Sequence, residues 1–158
     1  QYSLFNQCRD RIDAALIAGP FCNIANPAAV SVLERLGFAA AFVSPELSAR
    51  DYMALPKQCS LPLGMLLSGY WPVGISRFPL NGVKPNEPFF SPKGEAFWAR
   101  NYGGNLWIYP AWPMDISEHK NELEAAGYAF FAKLEENAPP TLPPIKRTSS
   151  FNWNGILL

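Results

Sequence analysis

The sequence predicts an α/β fold in which parallel βα units build a partial, half TIM-like barrel with one inserted β-hairpin. Three observations carry that expectation. Residues 19–47 read as strand, helix and strand with turn residues at each junction, a βαβ unit with parallel strands and a right-handed crossover. Leu33-Glu34-Arg35-Leu36-Gly37-Phe38-Ala39 is echoed by Leu123-Glu124-Ala125-Ala126-Gly127-Tyr128-Ala129, each a helix stopped by glycine before an aromatic residue opens a strand. The 158 residues supply about four such strands, whereas a closed (β/α)₈ barrel takes roughly 200 residues or more.

The elements follow in order. Leu4, Phe5, Cys8, Ile12, Ala15 and Leu16 share one side of a predicted helix over residues 1–18, opposite Arg9, Asp10 and Asp13, and Gly19-Pro20 ends it. Phe21 to Ala25 is a short apolar run read as a strand. Asn26 offers a side-chain oxygen as N-cap and Pro27 takes the first helical position. Ala29, Val30, Leu33 and Leu36 recur at helical spacing, and Gly37 closes the helix. Phe38 to Val43 has no polar residue, which suits a strand covered on both faces.

Ser48 and Asp51 form a capping arrangement for a helix at about 49–55, terminated by Pro56. Leu61 to Leu67 is a third buried strand. Residues 78–94 hold prolines and glycines without periodicity and read as an irregular loop. A hairpin follows, with strands 96–100 and 105–109 around a turn at 101–104. Asp115, with Glu118 at the reciprocal position, caps the next helix, Gly127 closes it, and Tyr128 to Leu134 is the last parallel strand. The reading divides the chain into a barrel-type domain at 1–138 and a proline-rich tail at 139–158, whose apolar end, from Phe151 onward, docks on this domain or on a partner.

Composition narrows the function classes. Thirteen basic residues balance thirteen acidic ones, so there is no electrostatic footprint for nucleic acid or anionic lipid. The apolar runs are too short to span a bilayer. Cys8, Cys22 and Cys59 match no CxxC spacing, and no cofactor is expected; a reducing, cytoplasmic setting fits them. The opening Gln, in place of Met, marks the chain as an expected fragment or processed product, with the rest of a longer chain or a second copy as its expected partner.

In parallel βα architectures, functional side chains gather beyond the carboxyl ends of the strands. That rule places Asn23, Asn26, Ser44, Glu46, Ser68 and Arg77 on one rim, with Ser76 beside Arg77. Glu46 suits a general base or ligand carboxylate, and Arg77 suits a bidentate clamp on carboxylate or phosphate; the remainder suit substrate binding. The plainer reading has Asn26 only capping its helix, Glu46 pairing with Arg77 or facing solvent, and Asn23 fixing a loop. His119, the single histidine, sits between Glu118 and Lys120 and reads as a solvated helix position. Without a second histidine or a G-x-S-x-G elbow, metal sites, triads and Cys/His dyads lack their parts. Trp71, Trp98, Trp107, Trp112 and Tyr109 form either a stacking surface for a ligand or the cap on a sheet edge where another domain docks. A glycoside hydrolase using Glu46 and Asp115 is a weaker alternative, because Asp115 is better explained as a cap.

Several of these residues carry a resemblance. Asn23-Ile24-Ala25-Asn26 before a helix, Leu36-Gly37, and a strand ending Val43-Ser44-Pro45-Glu46-Leu47 resemble the peptidase U32 family, the collagenase-like proteases. Gly69 to Arg77 with Pro72 and Ser76-Arg77, then Tyr109 to Ile116, Gly127 and the last strand, extend it over roughly 16–135, in the second half of that family's barrel-like domain. The resemblance implies a hydrolase acting on a peptide or other small polar substrate, incomplete as a catalyst in isolation. Family members that hold an iron–sulfur cluster place cysteines just after the Ser-Arg pair; here Phe78-Pro79-Leu80 follow, and no cysteine occurs from residue 60 onward, so no cluster is expected. Ser68 stands where a histidine is common. Relatives serving RNA or quinone hydroxylation show that the family name alone does not fix the chemistry. The alternative from another class is a non-catalytic module that docks through its aromatic face.

Overall fold

The computed structural model describes residues 14–144 and 148–155. The helix expected over 1–18 lies largely outside them, and its described end is a strand, β1 (Ile17–Ala18). The strand expected at Phe21–Ala25 is a single 3₁₀ turn, Pro20–Cys22, followed by one parallel bridge between Ile24 and Val43. Then come α1 (Pro27–Arg35), β2 (Ala40–Phe42), α2 (Ala49–Ala54) and β3 (Leu63–Gly69). The second half holds β4 (Gly74–Ser76), β5 (Pro88–Phe90), β6 (Ala96–Tyr102), β7 (Asn105–Pro110), β8 (Met114–Asp115), α3 (Lys120–Ala126) and β9 (Phe130–Leu134).

These strands form two sheets, and the parallel half-barrel is overturned. One sheet is mixed: β1, β2, β3 and β9 pair in parallel, while β8 runs antiparallel to the end of β3. The other is wholly antiparallel, in the order β4–β7–β6–β5. The hairpin is therefore no insertion into a barrel. It is the centre of a sheet of its own, completed by β4 and by β5, which lies inside the stretch expected to be irregular loop. Pro88-Phe89-Phe90 gives no alternation to betray it; its partner in register, Trp98 to Ala96, does the specifying.

The three α-helices among the described residues are short, of six to nine residues, and pack on one face of the mixed sheet. Leu63, Met65 and Leu67 of β3 meet Val30 and Leu33 of α1, Tyr52 of α2 and Leu123 of α3 in one core. Leu66 points the other way, into a smaller cluster with Trp71 and Met114. The period of two along β3 is thus read on both faces, and among the described residues helices cover only one of them. Gly64 belongs to the second face, where the Phe130 ring lies against its backbone: a Cβ there would sit 1.9 Å from Phe130 Cε2. Phe130 in turn meets Phe42 edge-on at 5.0 Å.

The paired sequence segments turn out to be one device used twice. α1 ends with Phe38 N–H donating to the Leu33 carbonyl, and α3 with Tyr128 N–H donating to the Leu123 carbonyl, each at 3.1 Å across a glycine of positive φ. This six-to-one closure satisfies an otherwise orphaned carbonyl and aims the aromatic residue at the core. Asn26 caps α1, accepting from Ala29 N–H at 2.9 Å, and Ser48 caps α2. Asp115 departs from expectation. It lies in β8, and its carboxylate accepts from Ser117 N–H at 2.9 Å, ahead of a 3₁₀ turn rather than as the cap of α3.

Residues 148–155 run back across the domain. Ser149 bridges Met114, and the Trp153 carbonyl accepts from Ala49 N–H at 2.9 Å. The Trp153 ring lies between Tyr52 and the His119 imidazole, stacked on the latter at 3.9 Å.

Candidate functional site

Two of the rim residues come together. Beyond β2, the chain turns through Ser44-Pro45-Glu46, and beyond the 3₁₀ turn Asn23 takes a left-handed φ of 53°. Asn23 and Glu46 line one cleft of about 310 Å³ with Phe21, Trp71, Val73 and Ile75. Its aromatic wall is built by Phe21, stacked on Trp71 at 4.6 Å and 9° and edge-on to Trp107 at 5.0 Å. Its other side is β4, which has β7 on one edge and no strand on the other among the described residues. Val73 and Ile75 beside that open edge are 54% and 53% exposed.

The backbone carrying Glu46 is held from three directions. Ser44 Oγ accepts from Glu46 N–H at 3.3 Å, and Asn152 Nδ2 donates to the Glu46 carbonyl at 2.8 Å. The Ser44 carbonyl accepts from the Tyr52 hydroxyl at 3.2 Å. Burial, with Tyr128 nearby, pushes the Tyr52 hydroxyl above its ordinary pKa, so it stays a donor. Ser44 is itself buried, which makes it a support for the loop and not a ligand group. The Glu46 carboxylate remains exposed at the cleft.

The other candidates lie elsewhere. Arg77 lines a separate cleft with Phe78, Asn101 and Leu106, so it neither pairs with Glu46 nor joins it in one site. Ser76 Oγ donates to the Phe78 carbonyl at 2.7 Å and accepts from Phe78 N–H, closing the turn after β4. Asn26 is occupied as a cap. Ser68 is buried in β3, in register with Asp115 on β8 and Lys133 on β9. Asp115 does not line the Glu46 cleft, which removes the two-carboxylate arrangement. His119 stacks on Trp153 with Glu118 and Glu122 within 3.4 Å, on the helix side of the molecule. Among the described residues, no three His, Cys, Asp or Glu side chains are placed to hold a metal ion, and no helix is long and apolar enough to cross a membrane.

A polar knot escaped the sequence reading. Glu136, just past β9, accepts from the Tyr102 hydroxyl at 2.8 Å and from Arg100 at 3.3 Å, with the Tyr109 hydroxyl at 3.5 Å. Arg100 also donates from Nε to Asn86 Oδ1 and from Nη2 to the Asn137 carbonyl. The Tyr102 hydrogen bond and the Glu136 charge hold the guanidinium above its ordinary pKa, and burial together with the Glu136 charge raises Tyr109. No sequence signal announces this knot, because Arg100 and Glu136 are brought together only by the docking of one sheet on the other. Comparison with protein-family models, curated proteins and solved structures gave no match.

Proposed function

We propose that this chain is a peptide-binding domain of peptidase U32 type, which holds an extended segment beside β4 and leaves bond cleavage to groups outside these residues. The single observation behind this reading is the shared cleft, where one exposed carboxylate and one amide face an aromatic wall along a strand edge that is unpaired among the described residues. An open edge offers main-chain hydrogen bonds to an extended peptide, and side pockets then select its side chains. Glu46 selects a basic side chain, Asn23 offers an amide to the peptide backbone, and the Phe21–Trp71 stack takes an apolar neighbour. The resemblance in Asn23 to Asn26 and Val43 to Leu47 supports the same assignment, since it centres on the segments that bear the two polar groups.

The separation of Arg77 from Glu46, and the placement of His119 on another face, leave the cleft without a base–nucleophile pair among the described residues, and binding is the role proposed for it. The docking alternative draws less support: Trp71, Trp98 and Tyr109, three of the five side chains expected to form its aromatic face, are buried.

The test titrates acetyl-Val-Lys-Val-amide and its norleucine analogue, followed by tryptophan fluorescence. The lysine peptide is expected to bind about tenfold more tightly, and Glu46→Gln to erase that preference while Phe21→Ala weakens both. Equal binding of the two peptides, or none, overturns the reading. Peptide fragments appearing during the incubation overturn its non-catalytic part.

A further inference from the structure

A second and larger cleft, of about 550 Å³, opens on the far end of the antiparallel sheet and is lined by Asn86, Arg100, Asn101, Tyr102, Asn137 and Pro140, among others. It shares no residue with the Glu46 cleft. We infer that this cleft is a binding site for a neutral polyhydroxylated ligand, a short oligosaccharide by chemical class.

The charge state argues first. Arg100 is the charged group lining the cleft, and Glu136 neutralises it from behind at 3.3 Å, so the site presents no net charge to attract an anion or a cation. What it presents are amides. The side chains of Asn101 and Asn137 have no partner among the described residues, and Asn86 spends only its Oδ1, on Arg100, leaving Nδ2 unpaired. An amide places one donor set and one acceptor side by side in a plane, which matches adjacent sugar hydroxyls that both donate and accept. Arg100 retains one Nη2 hydrogen beyond its four hydrogen bonds, in the same fixed plane.

Rigidity argues next. Tyr102 is 38% exposed, and its hydroxyl is tied to Glu136 while its ring meets Trp107 edge-on at 5.8 Å, so the ring is a fixed platform for the C–H face of a sugar. Prolines 85, 139 and 140 line the rest, with no side-chain entropy to lose when a ligand arrives. A nucleotide would need a free cation for its phosphate, which the paired Arg100 does not supply.

The test records ¹H–¹⁵N spectra of the full chain during titration with cellobiose and with maltose, alongside acetyl-triglycine amide and adenosine monophosphate. Saturable shifts confined to Asn86, Asn101, Tyr102 and Asn137 are expected with at least one disaccharide. Asn101→Ala and Asn137→Ala, separately, should each weaken binding several-fold, and together by about tenfold or more. Both positions are exposed, and unchanged spectra of the mixed sheet would show that the variants remain folded. Glu46→Gln should leave sugar binding intact, so failure here is separable from failure of the peptide reading. Absence of localised shifts up to about 50 mM sugar, or localised binding of the peptide or nucleotide in place of the sugars, overturns the inference.

Discussion

The two sheets are held in place by different physics. In the mixed sheet, Leu63 to Ser68 of β3 are buried throughout, and the helices that cover it are fixed by local caps and glycine closures. In the antiparallel sheet burial is confined to β6 and β7, whose buried residues include Trp98, Ala99, Leu106 and Tyr109, while β4 and β5 have no fully buried residue. That sheet is also tied to the rest by the Arg100–Glu136–Tyr102–Tyr109 knot and by Tyr70 set edge-on against Trp98. A sheet that buries a full apolar face needs little help from polar contacts. One that is half exposed depends on a few directional ones, and those sit at the rims of its clefts.

The largest expected effect breaks the mixed sheet. Gly64→Ala drives a methyl group into the Phe130 ring and should cost about 3 kcal/mol in urea unfolding, much of it recovered by pairing the change with Phe130→Leu. A full additive loss in the double variant would show that the contact with Phe130 is not the cause. Next, Glu136→Gln removes the charge at the centre of the knot and should cost about 2 kcal/mol. Hydrogen exchange should then speed up in β4–β7 while β3 and β9 stay protected; uniform acceleration would contradict the division into two differently held sheets.

The smallest effect sharpens the contrast through pH. Burial raises the Tyr52 pKa in the folded state above that of the unfolded chain, and the protonated hydroxyl is the folded form. Its contribution is therefore complete below about pH 10 and is lost as pH rises beyond it, by about 1.4 kcal/mol per pH unit. Tyr128 and Tyr109 act in the same direction, also chiefly through burial. Tyr52→Phe should lose about 1 kcal/mol at neutral pH with its hydrogen bond to Ser44, yet flatten the alkaline limb of a stability–pH curve by one proton's worth of slope. An unchanged alkaline slope would mean that Tyr52 ionises as readily when folded.

Legibility in the sequence followed the range of the interaction. Asn26, Ser48, Gly37 and Gly127 act within five residues of their partners, and each does in the structure what its position announces. Asp115 differs from its expected role because Ser117 N–H, two residues on, takes its carboxylate before the helix begins. The rim of candidate residues was only partly legible. Glu46 and Asn23 converge, but Arg77 follows a strand of the second sheet, and strand-end reasoning for a single parallel sheet cannot carry it to the right place.

The sequence by itself determined where α1 and α2 start and stop, where α3 stops, where the hairpin turns, and that β3 is buried, because those outcomes rest on side chains adjacent along the chain and on apolar runs. Only the tertiary structure decided that the strands sort into two sheets, that β8 runs against β3, and that Glu136 meets Arg100 across 36 positions. Such pairings depend on which distant surfaces exclude water from one another, and no local pattern encodes that competition.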